Sequence, residues 1–279
     1  MALFYSREQL WDKSLGGNDT SDEIPHGWGR FFSGLFGFLC KILFRYRIDN
    51  QEVLRAFEGK KRGAVVVAPH VSYLDVVIIF LSARPRQWIR LLGRDSLFDI
   101  AGGLFGQILS RVGAIPVKRD SADRTAIKRA TRILKNGELL GVFPEGTRRG
   151  KGDKIPSLHG GAALMARMGK APLIPLGLTN IDLVKQKGKF FRFPKITATF
   201  GDPIEVSSFD FLAKEERLEG CVWYVMRESF ALSRGVSAEE VDMTALFPDS
   251  KDYTGVFREN PISPMSLDAL EDYVVESEK

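Results

Sequence analysis

Sulfur and imidazole are scarce in this chain. Two cysteines, Cys40 and Cys221, and three histidines, His26, His70 and His159, are spread over 279 residues. Their spacing matches no zinc site, so no metal centre is expected. Thiols so few and so far apart read as reduced and intracellular rather than as a disulfide framework. No Gly-x-Ser-x-Gly segment occurs, which excludes a hydrolase nucleophile elbow. Residues 1–12 lack the basic start and early apolar run of a secretory signal. No internal repeat is present. Neither sign of charge dominates: 40 Lys and Arg stand against 35 Asp and Glu, a net +5. With the cations spread along the chain and no basic tail, a nucleic-acid arm is not expected. The modest excess suits phosphates or acidic headgroups.

A long uncharged run is missing too. Residues 28–46 are rich in Phe and Leu, but Arg30, Lys41 and Arg45 interrupt them, and the stretch from Phe31 to Cys40 is too short to span a bilayer. A helix lying in the membrane interface is expected there, its cations reaching headgroups, in preference to a helix packed on the domain.

What is present is alternation. Short apolar runs bounded by Gly or Pro predict strands at 64–68, 88–92, 112–117, 139–143, 173–178 and 196–200. Helical patterns at 73–83, 96–111, 121–135 and 160–169 fall between them, and 209–233 reads as one or two further helices. The expected class is α/β, with a mostly parallel central sheet flanked by helices and an N-terminal membrane-docking helical segment. The expected organisation is an N-terminal region at 1–58, an α/β domain at 59–235, and a C-terminal helix and tail at 236–279, loosely attached beyond Asp249. Residues 97–111, softened by Gly102, Gly103 and Gly106, read equally as core packing or as an apolar element lining an acyl tunnel or touching a membrane.

Three segments carry candidate chemistry. In AVVVAPHVSYLDVVIIF (64–80), a strand leads into His70, and Ser72-x-x-Asp75 has the form of a capping box. In one continuous helix His70 and Asp75 would stand about 140° apart. With His70 on a loop and Asp75 in the first helical turn, the carboxylate can fold back onto the ring. The pair then suits proton removal from a substrate hydroxyl, the acid fixing the tautomer. The rival reading is an ordinary loop histidine beside a helix-start acid. In LLGVFPEGTRRGKGDK (139–154), a strand runs into a polar turn with Glu145, Gly146, Thr147 and Arg148, followed by Arg149, Lys151 and Lys154. Arg forks and Gly-exposed amides suit phosphate. Glu145 is placed either to orient Arg148 or to bind polyol hydroxyls. The Gly146-x-x-x-Gly150-Lys151 spacing is one residue short of a Walker loop. In RVGAIPVKRD (111–120), a strand delivers Lys118 and Arg119 to the sheet edge, and Pro116 points to an edge or a bend.

Together these segments resemble the glycerolipid acyltransferase family, which contains the 1-acylglycerol-3-phosphate acyltransferases. His70-Val-Ser-Tyr-Leu-Asp75 is similar to its His-x4-Asp block, Gly113-Ala-Ile-Pro-Val-Lys-Arg119 to its second, FPEGTR at 143–148 to its third, and Pro172-Leu-Ile-Pro175 to its fourth. The resemblance covers roughly residues 60–205. It implies His70 as general base supported by Asp75, and an acceptor site at Glu145, Gly146, Thr147 and Arg148 aided by Arg119. It further implies an acyl-CoA or acyl-acyl carrier protein co-substrate, no bound cofactor or metal, a lysophospholipid acceptor, and a peripheral or monotopic place on the cytoplasmic face of the cell membrane. No nucleic-acid partner is expected. The implied reaction acylates lysophosphatidic acid to phosphatidic acid in phospholipid biosynthesis. The alternatives are another lyso-lipid or glycerol 3-phosphate as acceptor, then a lipid hydrolase or a non-catalytic lipid-binding protein. The chain departs from the pattern in three places: Pro69 stands where Asn usually precedes the histidine, His159 stands where a lysine is usual, and Pro116 replaces a β-branched or aromatic residue.

Overall fold

The computed structural model describes residues 5–19, 21–59, 62–118, 123–149, 156–186, 190–266 and 269–270. In chain order the elements are α1 (Arg7–Trp11), α2 (Gly27–Leu43), β1 (Arg47–Asp49), α3 (Glu52–Arg55), β2 (Val65–Val67), α4 (Leu74–Ser82), β3 (Ile89–Arg94), α5 (Leu104–Arg111), β4 (Ile115–Val117), α6 (Arg124–Lys135), β5 (Leu139–Val142), α7 (Gly161–Gly169), β6 (Leu173–Thr179), β7 (Thr197–Phe200), α8 (Arg217–Arg234), α9 (Met243–Leu246) and α10 (Thr254–Glu259). The strands form one seven-stranded sheet in the order β1-β7-β6-β2-β5-β3-β4. Every pairing is parallel except β6 with β7.

Apolar residues on both faces of the central strands explain the two-sided burial. Val65 and Val67 of β2 enter a core shared with α6, α7 and α8. Ala64, Val66 and Ala68 enter the opposite core, with α4 and the inner side of α2. A strand buried on both faces belongs in the middle of a parallel sheet. β2 sits there, between β5 and β6, and the loops after β2 and β5 lie side by side on one rim. Open α/β sheets bind their ligands at such strand ends.

Several expectations shift. The sheet gains β1, a three-residue strand too short to carry a readable alternation. Val112 and Gly113 form a turn, Gly113 with φ +90°, so β4 starts at Ile115. β4 is an edge strand, where Pro116 costs no ladder bond. The helix expected over 96–111 is interrupted: Ala101, Gly102 and Gly103 all have positive φ, and only Leu104–Arg111 is α-helical. Asp123 caps α6, its carboxylate accepting from the Thr125 and Ala126 amides. The segment beyond Asp249 is not loose throughout. Tyr253, Phe257 and Ile262 are buried in the α8 core, and Leu270 in the opposite one. Cys40 and Cys221 are both buried and unpaired.

No helix among the described residues is long and apolar enough to cross a membrane. α2 instead exposes Phe31, Leu35, Phe38 and Ile42, one stripe at helical spacing, while Cys40 turns inward. Ile100, Leu104 and Phe105 are also exposed, so that face of the 97–111 stretch is not core.

Candidate active site

β2 delivers the chain to Pro69 and His70, and α4 begins four residues later. The chain reverses in between, and Asp75 folds back on it. Asp75 Oδ2 lies 2.9 Å from His70 Nδ1 and accepts from the Val71 and Ser72 amides at 2.7 and 2.8 Å. Half of the expected capping box forms: the acid takes the Ser72 amide, but Ser72 Oγ accepts from Leu74 N rather than from Asp75 N. Pro69 removes none of these donors. Burial pushes Asp75 above the ordinary carboxylate range, opposed by the imidazole and the two amides. An ionised carboxylate only accepts, so Nδ1 donates to Asp75 and Nε2 is left as the basic nitrogen. The ring stacks on Phe143, centroids 4.3 Å apart, and is partly exposed.

β5 delivers the second loop. Gly146 N donates to Phe143 O at 3.2 Å, closing a turn, and Gly146 has φ +60°. A side chain there would be strained and would press on the His159 ring, which lies 3.3 Å from the position of a Cβ. His159, exposed, is tied to the same turn by its amide, which donates to Pro144 O at 3.1 Å. Thr147 and Arg148 are partly exposed, and the Arg148 guanidinium lies 4.0 Å over the Tyr73 ring at the start of α4.

Glu145 is buried, 1% exposed, and its partner is not Arg148. Arg149 Nε donates to Glu145 Oε1 at 2.9 Å. Burial raises Glu145 to about 7, against the pull of Arg149 and of the His70 backbone amide. Arg149 also binds the two loops together: its amide donates to His70 O at 2.8 Å. Its guanidinium donates to Leu246 O at 3.3 Å and lies 5.0 and 4.4 Å from the Phe230 and Phe247 rings. In the sequence Arg149 is one more cation of the loop, beside Arg148, Lys151 and Lys154. The signal available was the acid four residues earlier, which says nothing of the partners from α8 and α9.

The structure therefore brings together His70, Asp75, Glu145, Gly146, Thr147 and Arg148 on one rim. Arg119 lies outside the described residues, as do Lys151 and Lys154. Its neighbour Lys118 directly follows β4, which β3 separates from β5. At about 4.8 Å per strand, that places it roughly 10 Å along the rim from the β5 loop. A separate cavity of about 960 Å³, lined by α6 and the segment after α1, shares no residue with this rim. The chemistry is assigned to the paired acid and imidazole, because volume alone moves no proton. Among the described residues no group of His, Cys, Asp and Glu is arranged to hold a metal.

Residues 45–179 match the family model described as Acyltransferase. The chain is 32% identical over 172 residues to a 1-acyl-sn-glycerol-3-phosphate acyltransferase of Bacillus subtilis (strain 168), covering 62% of this chain and 80% of that protein. It is 32% identical over 144 residues to the protein of the same name from Streptococcus pneumoniae (strain ATCC BAA-255 / R6), covering 51% of this chain and 50% of that one. The fold is similar to the crystal structure of the 1-acyl-sn-glycerophosphate acyltransferase of Thermotoga maritima, with a TM-score of 0.52 over 77% of this chain and 81% of that chain, at 22% identity.

Proposed function

The chain belongs to the glycerolipid acyltransferase family, and we propose that it transfers a fatty acyl group from an acyl thioester to the free hydroxyl of 1-acylglycerol 3-phosphate. The observation that carries this reading is the 2.9 Å contact of His70 Nδ1 with Asp75, on a ring that stays partly exposed, which leaves Nε2 to take a proton.

The reaction runs in one ternary complex. His70 Nε2 takes the hydroxyl proton as the oxygen attacks the thioester carbonyl. The tetrahedral intermediate collapses, the C–S bond breaks, and the thiolate leaves with the proton returned from the imidazolium. Asp75 stabilises that imidazolium. A thiol of pKa about 8.5 needs little acid help to leave. The turn at Gly146, Thr147 and Arg148 receives the phosphate, Arg148 supplying the fork. Glu145 does not touch substrate: it is enclosed, and it holds Arg149. The donor is acyl-CoA or acyl-acyl carrier protein. The enzyme works peripherally on the cytoplasmic face of the membrane, seated by the exposed stripe of α2.

General base catalysis is worth about 10²–10⁴-fold. His70→Ala is expected to lose turnover on that scale, followed as thiol release from acyl-CoA with lysophosphatidic acid, while lipid binding stays. Near-normal turnover in the folded variant would remove His70 from the mechanism. Thiol release without an acceptor would indicate hydrolysis instead.

A further inference from the structure

We propose that the aromatic segment before β7, Phe190–Phe193, is a second membrane-contact element that seats the catalytic rim on an anionic lipid surface together with α2. The inference rests on the reading of α2 as a membrane-seated helix, and it adds a site that the helix pattern of α2 does not contain.

The placement follows from the sheet. β2 and β6 run parallel with Val67 opposite Pro175, so His70 and the end of β6 share one rim. β7 runs back with Thr197 opposite Thr179, so the segment feeding it starts at that rim. β1 is parallel to β7 with Arg47 opposite Thr197, which brings the C-terminal end of α2 to the same place.

The segment is anchored, Phe193 against the core residue Phe44, yet its rings remain largely exposed. Arg45, just after α2, donates to Phe193 O at 3.1 Å, and the Phe44 and Phe193 rings stand 5.5 Å apart. Arg192 N donates to Val184 O at 2.9 Å, and Asn180 Nδ2 to Lys195 O at 3.0 Å. Phe190 is nonetheless 95% exposed, and Phe191 and Phe193 are exposed beside it. A backbone held this firmly could have turned the rings inward if the fold had needed them there. Arg192 and Lys195 are exposed between and after the phenylalanines, as Arg30 and Lys41 are on α2. Aromatic rings flanked by cations fit the boundary between acyl chains and acidic headgroups. They fit the buried centre of a protein interface poorly, since charge is depleted there. Continuity with α2 through Arg45 and Phe44 makes the two one surface, which commits the occupant to a bilayer.

The test uses the full chain and vesicles of phosphatidylcholine with and without phosphatidylglycerol. Phe190→Ser/Phe191→Ser is expected to weaken vesicle binding about tenfold or more, the loss of two buried rings being worth at least that. Turnover of short-chain, water-soluble substrates should be unchanged. In a Phe190→Trp variant, brominated acyl chains should quench more emission than in the wild type, whose Trp28 already lies exposed on α2. Unchanged affinity with no added quenching overturns the proposal. If Phe31→Ser/Phe38→Ser weakens binding while Phe190→Ser/Phe191→Ser does not, the α2 reading stands and the second element falls. If the wild-type protein ignores both vesicles, the two fall together. If Phe190→Ser/Phe191→Ser instead dissociates a dimer in sedimentation velocity, the occupant is a second copy and the proposal is wrong.

Discussion

The loops after β2 and β5 lie side by side on one rim, each with a buried carboxylate, and they hold it by opposite means. Asp75 is held within six residues of chain, by the His70 ring and the amides of Val71 and Ser72. Glu145 is held by Arg149, and Arg149 depends on Leu246 O and on the Phe230 and Phe247 rings, about a hundred residues further on. The first loop is a local device that any correctly started helix would produce. The second is a tertiary device, complete only when α8 and α9 have docked. Arg149 N donating to His70 O makes the first loop lean on the second.

Three substitutions sharpen that contrast. Asp75→Asn has the largest expected effect. The amide can still accept from the loop donors, but it carries no charge to stabilise the imidazolium, so turnover should fall about 10³-fold with little change in KM or circular dichroism. A drop of less than tenfold would mean that Asp75 only shapes the loop. Arg149→Met comes next and should act on stability. Removing one partner of a buried ion pair strands the other, at about 3 kcal/mol by denaturant titration. Arg149→Met/Glu145→Gln should recover much of that loss. If the single variant unfolds at the wild-type midpoint, the second loop does not depend on its distant partners.

Glu145→Gln should have the smallest effect, visible as a change in pH dependence. The folded value of about 7 lies above the ordinary glutamate value of 4.5. The folded state therefore binds the proton more tightly, and Glu145 contributes stability that is complete below about pH 4.5 and lost as pH rises through about 7. Between pH 5 and 7.5 the wild type should lose about 2 kcal/mol relative to Glu145→Gln. Parallel pH profiles for the two proteins would show that the carboxyl is not held in its neutral form.

The legible parts of the fold were those encoded by runs of neighbours. β5 and β6 are bounded by Gly or Pro and filled with apolar residues, and both stand within a residue of where the pattern put them. α7 likewise starts one residue inside its expected span. The parts that were not legible lack a local signal. β1 is three residues long and exists because β7 offers it an edge. The break at Ala101 is set by two following glycines that permit positive φ without requiring it. Tyr253 and Phe257 lie in a stretch whose Pro, Ser and acidic residues suggest a tail, and their burial follows from the aromatic cluster around Trp223. In the site, the pairing of His70 with Asp75 is legible because the turn that joins them is held by the amides of Val71 and Ser72, which lie between them.

Composition, patterning and motif spacing determined the α/β class, the positions of most strands and the identity of the acid and the imidazole. Those depend on residues within a few positions of one another, where backbone geometry leaves few choices. Which arginine Glu145 would take was decided by tertiary structure. Arg148 and Arg149 are adjacent and chemically alike, and only the packing of α8 and α9 directs one to the buried carboxylate and leaves the other over Tyr73, at the open rim.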